Sequence, residues 1–487
     1  MTATPLSRKL GLMGLIATGV CSMIGASINI MPFMIQRSVP GIGPYVLPAF
    51  VLAALPAFLA AMAYSLLATA MPRAGGSYLY VSRGFNSYLG FVASFSQWFG
   101  LSIVIGVVAY MIIPFLRDVA FNLQWTAAAK ALDTGFVRVG LALGLLWLFV
   151  WVNIRGGKFY ERTVIPLMLL MFLLGSIVII SGFSFTQQDF VAALLQKEGR
   201  TMVVNTNSSV DLMTFFSAAS LMFASFIGFE SIAQAGGEAK HPARNLPLAI
   251  TLTMLIVGLY YVLFTSAVYH AVPWSFVAAE AQTKDISAPG MLSYLLPAGL
   301  SVAIVAGAAV ALTNDLPAML LSVSRLLFAW AEDGIFPDKI TQLHPRHQTP
   351  YVAILISGAV ATIGILGSHF AGDFFLGIDI MVTSMLVNFL LICMTLVSID
   401  RMNPALAAEI KIVKKVVYRR IIGGVGALVI AFFLGIHTYK DLNATVDAWY
   451  FHSSLIWGIV MALASLYWAY ITFFSGKTPA TLINDEK

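Results

Sequence analysis

Met23-Ile24-Gly25-Ala26-Ser27-Ile28-Asn29 interrupts the first long apolar segment of the chain. Small and polar residues in the middle of a stretch of hydrocarbon length weaken a continuous helix. They are tolerated where the freed backbone groups line a cavity or meet protein partners. A second interruption, Ser225-Phe226-Ile227-Gly228-Phe229-Glu230, sits at a matching place later in the chain. Two such breaks, one in each half of a membrane protein, point to a transporter binding site.

Composition agrees. The 487 residues are 59% hydrophobic and only 10% charged, against roughly 25% charged in soluble domains. A spanning helix needs about 20 mostly apolar residues, and twelve segments have that length. The expected fold is therefore an all-α integral membrane protein of about twelve transmembrane helices. The alternate loops assigned to the inside, with the tails, hold most of the 28 Lys and Arg, which is the positive-inside bias. Arg401, Lys411, Lys414, Lys415, Arg419 and Arg420 are the densest inside group. This bias accounts for the net charge of +6, so nucleic-acid binding is not implied. The expected setting is the plasma membrane, a bacterial inner membrane, with a multi-pass chain and both termini cytoplasmic.

Five spans precede the second break. An odd number of spans per unit makes a second copy enter from the opposite side, the logic of an inverted repeat. The expected organisation is a cytoplasmic tail at 1–10, a first five-helix unit at 11–182 and an inverted second unit at 213–399. A loop and two further helices follow at 400–474, then a cytoplasmic tail at 475–487.

At the first break, Gly25 has no Cβ, and Ala26 and Ser27 are small, so a ligand can approach the backbone closely. Amides freed there would stand at the positive end of the following half-helix and attract a carboxylate. Ser27 adds a hydroxyl and Asn29 a strong polar group. At the second break, Phe226 and Phe229 would serve as a gate or side wall. Glu230 is an ionisable group in an apolar span, where such groups face a cavity or a partner. It either accepts N–H bonds from the unwound segment or carries a proton; the first reading is preferred, because carboxylates often satisfy the backbone at broken helices. Asn314 and Asp315, in the eighth segment, form an oxygen-rich pair that suits a hard cation. Asp315 is read as a sodium ligand or proton acceptor, or else as a partner for a polar group in the bundle. Cys21 and Cys393 have no metal or disulfide spacing.

Met71-Pro72-Arg73-Ala74-Gly75-Gly76-Ser77-Tyr78-Leu79-Tyr80, Val152-Asn153-Ile154-Arg155-Gly156, Ile227-Gly228-Phe229-Glu230, Gly237-Glu238-Ala239-Lys240-His241-Pro242 and Ser324-Arg325 follow one another in an ordered set. Together with the first break, this set resembles the amino acid–polyamine–organocation (APC) superfamily of secondary transporters. The resemblance implies a leucine-transporter-type 5+5 inverted repeat with two additional C-terminal helices. It implies that a substrate carboxylate meets the backbone near Gly25, Ala26 and Ser27. The ammonium group would meet carbonyls around Phe223, Ala224 and Ile227. The chain departs from the pattern at Tyr64-Ser65-Leu66, where relatives often have a Glu. It departs at Met171, where several proton-coupled relatives place a Lys, and at Asn29, where relatives usually have an aromatic residue. Ala224 is small where some exchangers carry a bulky gate, leaving room for a larger side chain.

The expected function is secondary active transport of an amino acid or related amine by alternating access. No cofactor is expected beyond a coupling sodium ion or proton, and the mode, symport or exchange, is open. The expected partners are the small-molecule substrate and the lipid bilayer, with the chain a monomer or homodimer. The rivals are an intramembrane enzyme and a channel. An enzyme would need clustered catalytic groups facing one cavity, and a channel a repeated filter or charged ring. Neither pattern is present, and no phosphate-binding Gly-Lys-Ser/Thr loop supports ATP-driven transport.

Overall fold

A computed structural model describes residues 6, 8–202, 209–371, 374–446 and 448–474. Most of the expected N-terminal tail and all of the expected tail at 475–487 lie outside the described residues. Within them, 12 helical segments are long and apolar enough to cross a membrane.

The first span is two helices, α1 (Leu12–Met23) and α2 (Ala26–Ser38), and the second is α3 (Val46–Ala70). A short α4 (Gly76–Gly84) leads to the third span, α5 (Ser87–Asn122). After α6 (Thr126–Asp133) come the fourth and fifth spans, α7 (Gly135–Ile154) and α8 (Gly157–Ser184). A peripheral α9 (Gln187–Glu198) precedes the sixth span, which is α10 (Leu212–Met222), a tight turn at Phe223–Phe226 and α11 (Glu230–Gln234). The seventh is α12 (Pro242–Ala271), followed by short α13 (Trp274–Thr283) and α14 (Ala288–Leu292). The eighth, ninth and tenth are α15 (Ala298–Glu332), α16 (Tyr351–Ala371) and α17 (Phe374–Met402). Short α18 (Pro404–Ala408) precedes α19 (Val416–Leu442) and α20 (Ser453–Phe474).

Several helices outrun the apolar stretch that betrays them. In the fifth span, α8 begins at Gly157 and carries Lys158, Glu161 and Arg162 in its first turns, ahead of its apolar stretch. A helix need not stop where the hydrocarbon does, and its charged turns project into the water or against other loops.

The spans divide sharply by burial. Of the most apolar window of each, 88% is buried in the first span and 83% in the eighth, but 22% in the fifth and 11% in the twelfth. The third, sixth and tenth spans join the buried group. A helix apolar on every side and buried on every side belongs to an interior. These five spans are that interior, and the others are exposed over half or more of that window.

The side bearing the N-terminus is locked by backbone and charge. Leu10 donates its N–H to the Glu238 carbonyl at 2.9 Å, and Lys240 donates to the Leu10 carbonyl at 2.8 Å. The Gly11 N–H donates to Glu161 Oε1 at 2.6 Å. Glu238 in turn holds the buried Arg325 of α15 through Nε at 2.7 Å and through the outer guanidinium nitrogen at 2.5 Å. Breaking such a buried pair leaves an uncompensated charge, costing about 3–5 kcal/mol. The Gly237-Glu238 and Ser324-Arg325 motifs therefore meet as one fastening. Asn153 makes another: its amide donates to the Phe149 carbonyl at 3.0 Å and to the Pro317 carbonyl of α15 at 3.1 Å.

Candidate functional site

The first span breaks at Ile24-Gly25. Gly25 caps α2 with φ −146° and ψ −116°, and the carboxylate of Asp315 lies directly against it. A Cβ on Gly25 would stand 1.7 Å from Asp315 Oδ2. Only a residue without a side chain permits that approach. Asp315 thus reaches from α15 to the N-terminus of α2, the positive end of that helix.

Two carbonyls at this break, those of Met23 and Gly25, already have donors. The Tyr261 hydroxyl, from α12, donates to the Met23 carbonyl. The Asn29 amide donates to the Gly25 carbonyl at 3.0 Å. Asn29 therefore serves the backbone one turn before it, and its flank lines a narrow space with Met171 and Tyr260 rather than the central cavity. The first four N–H groups of any helix have no intrahelical partner, so the start of α2 presents N–H donors beside Asp315.

The sixth span breaks after Phe226. Ile227 is extended, with φ −79° and ψ 138°, and Gly228 has φ +136°, a region closed to side chains. A Cβ on Gly228 would lie 2.4 Å from the Ser22 carbonyl oxygen of α1. The two breaks are therefore in direct backbone contact. Ser22 and Ser231 join them again, hydroxyl to hydroxyl, at 3.1 Å. Glu230 turns back on its own segment, and the Gly228 N–H donates to its Oε2 at 2.8 Å.

A cavity of about 30 Å³ opens beside the contact. Ser22, Ser27 and Met31 come from the first span, Val104 and Val108 from α5, and Ala224 and Ile227 from the sixth. Asp315 and Met319 come from α15, with Ile378 and Met381 from α17. All five buried spans contribute. A water needs roughly 10–15 Å³ of such space, so the pocket as it stands has room for about two.

The residues expected at the site divide accordingly. Ser27, Ala224, Ile227 and Asp315 line the cavity, and Gly25 and Ala26 form the junction with α2 beside it. The three phenylalanines do not line it. Phe226 packs on Phe50 at 5.2 Å between ring centres and on Tyr261 at 5.4 Å. Phe229 lies 5.7 Å from Tyr64 and 5.1 Å from Phe389, and Phe223 lies 5.8 Å from Phe389. They brace the break from behind. Asn314 is also off the cavity; its buried amide has no hydrogen-bond partner on nitrogen or oxygen among the described residues. Adjacent residues of a helix do not face one another, so Asn314 and Asp315 point apart.

Sequence reading missed Met31, Met319 and Tyr261. The two methionines carried a signal. Met31 is four residues after Ser27 and Met319 four after Asp315, the spacing that shares a helix face. Tyr261 gave only its chemistry, a hydroxyl deep in an apolar span that requires an acceptor. A buried cluster on the far side of the sixth span was missed as well. Ser77 donates to Gln97 Oε1 at 2.6 Å, Gln234 donates to the same oxygen at 3.1 Å, and Asn388 donates to the Tyr64 hydroxyl at 2.7 Å.

The model of the family described as "Amino acid permease" matches residues 10–484. A branched-chain amino acid permease of Bacillus subtilis, BcaP, is 26% identical over 74% of this chain and 75% of its own. Cationic amino acid transporter 4 of Mus musculus is 25% identical over 74% of this chain, which spans 55% of that longer protein. An uncharacterized transporter of Mycobacterium bovis is 27% identical over 73% of each chain.

Proposed function

The chain belongs to the amino acid permease family, and from that premise we propose that it carries neutral amino acids with apolar side chains by alternating access, coupled to a cation at Asp315. The family and its relatives support amino acid transport. The observation that carries the finer reading is the meeting of both breaks at one cavity in which, among the described residues, Asp315 is the only charged lining group.

A substrate carboxylate drawn to the freed amides of α2 would arrive beside a second carboxylate. Like charges at that separation disfavour joint ionisation. The compensating charge on this reading is a proton on Asp315 or a sodium ion beside it, with the substrate's own ammonium group held at the sixth span. A sodium ion would draw on Asp315 and the Ser27 hydroxyl, without Asn314. With the Met23 and Gly25 carbonyls already accepting hydrogen bonds, a proton is the simpler means of neutralisation. Above this point the wall is Met31, Val104, Val108, Met319, Ile378 and Met381. The thioethers are flexible enough to retreat from an entering side chain. An aliphatic wall suits a leucine-sized side chain and leaves a guanidinium unpaired. The name of the Bacillus relative points the same way.

The test is uptake of labelled leucine and arginine into proteoliposomes under imposed proton or sodium gradients. Leucine should accumulate under an inward proton gradient. Asp315→Asn should still exchange leucine across the membrane without accumulating it. Accumulation that follows sodium alone would replace the proton by sodium, and preference for arginine would overturn the apolar substrate class.

A further inference from the structure

We infer that a groove between α3, α12 and the start of α19 is the seat of an anionic phospholipid. The groove is about 300 Å³ and almost wholly apolar. Phe58, Met62 and Leu66 line it from α3, Met254 from α12, and Ile412 and Ile422 from the third side. Phe58, Met62 and Ile412 are 37%, 40% and 58% exposed, an open apolar face that no described part of the chain covers.

Its mouth says what covers it. Ile412 and Val413 line the groove and stand inside the run Lys411-Ile412-Val413-Lys414-Lys415. Arg419 is not available to a ligand, since it is buried with its guanidinium on Asp400 and on the Ala407 carbonyl. Lys411, Lys414 and Lys415 are exposed. Lys411 has a loose partner in the exposed Glu409 at 3.4 Å, and Lys415 lies 5.7 Å from the Tyr418 ring centre. Exposed cations flanking two lining residues of an apolar slot match a headgroup of negative charge with an acyl chain in the slot. The reach also fits: Phe58 to Leu66 is eight residues, about 12 Å of helix rise, close to half of a hydrocarbon core of about 30 Å. One leaflet's chain fills that depth. The seat touches the transport machinery, since α3 carries Phe50 against Phe226 and α12 carries Tyr261.

The experiment reconstitutes the full chain from phosphatidylcholine alone or mixed with phosphatidylglycerol, then measures lipid retained through detergent extraction by native mass spectrometry. Phosphatidylglycerol should be retained over phosphatidylcholine. A lysine near an anionic surface contributes roughly a factor of five, so replacing Lys411, Lys414 and Lys415 together by Gln should weaken retention on the order of a hundredfold. Met62→Trp, which fills the slot from an exposed position, should also displace the lipid, while leaving the melting temperature of the delipidated protein unchanged. Equal retention of both lipids would overturn the proposal. So would loss on lysine replacement with full retention in Met62→Trp, which would reduce the effect to surface charge. Disulfide-linked dimers formed through Met62→Cys would show a second copy of the chain on this face, and would overturn it too.

Discussion

The two breaks solve one problem in opposite ways. Each interrupts a helix in the membrane interior, and each sets a glycine beside a buried carboxylate. At the second break the acid is local: Glu230 accepts from the Gly228 N–H two residues away. At the first the acid is foreign: Asp315 comes from α15 to lie on Gly25. A carboxylate satisfied by its own segment moves with that segment and acts as a fixed cap. A carboxylate held across an interface reports on whether the two helices are together. Under the proposed transport cycle, the second break stays as it is and the first responds to what enters between α2 and α15.

The strongest way to break this comparison is at the glycines. Gly228→Val combines a forbidden backbone angle with a clash against the Ser22 carbonyl, and backbone on both sides leaves nothing free to yield. We expect destabilisation beyond about 4 kcal/mol, the range of exceptional single substitutions, seen as loss of a monodisperse species on purification. Gly25→Ala meets a carboxylate instead, and a side chain can turn away. That variant should fold, with its melting temperature lowered by only a few degrees, and lose gradient-driven accumulation. If Gly25→Ala fails to fold as Gly228→Val does, the contrast between a fixed and a responsive break collapses.

The acids give a smaller effect. Glu230→Ala removes the acceptor from a buried N–H, which costs about 1–3 kcal/mol, whereas Glu230→Gln keeps an acceptor oxygen at the same reach. Thermal melting should rank them Ala well below Gln, with Gln close to the unaltered chain. Coupled uptake should survive in Glu230→Gln. Its loss there, with stability intact, would assign Glu230 the proton and remove the distinction from Asp315.

Much of this is legible in the sequence, for physical reasons. A break in a membrane helix must be written in small and polar residues, because hydrocarbon tolerates no idle backbone group. Hence Gly25, Ser27, Gly228 and Glu230 stood out. The same rule exposed Asp315. Sequence is silent where chemistry is ordinary: Val104, Val108 and Ile378 line the cavity but resemble every other aliphatic residue of their spans. It also misplaces residues whose chemistry is right and whose azimuth is unknown. Phe226 and Phe229 have the character of a gate, yet their rings pack tilted or edge-on against Phe50, Tyr261, Tyr64 and Phe389. Asn314 shares the polarity of Asp315, but one residue along a helix turns it out of the cavity. Asn29 has the polarity of a site residue, yet its amide is spent on the Gly25 carbonyl.

The finest test concerns the two donors that flank Gly25. Tyr261→Phe removes a hydroxyl from the Met23 carbonyl, and Asn29→Leu removes an amide from the Gly25 carbonyl. Each should cost about 1 kcal/mol of stability, the net worth of an ordinary hydrogen bond. Their effects on transport should differ. Tyr261 sits on α12, and its loss takes the hydroxyl donor from the Met23 carbonyl at the end of α1, where carbonyls have no intrahelical partner. Asn29 acts within the first span, and without its amide the Gly25 carbonyl still accepts the first intrahelical N–H bond of α2. A bare carbonyl is a cation ligand. Tyr261→Phe should therefore raise sodium sensitivity of uptake while Asn29→Leu leaves it unchanged. If neither variant changes the ion dependence, the occupied carbonyls are not what favours a proton over sodium at Asp315.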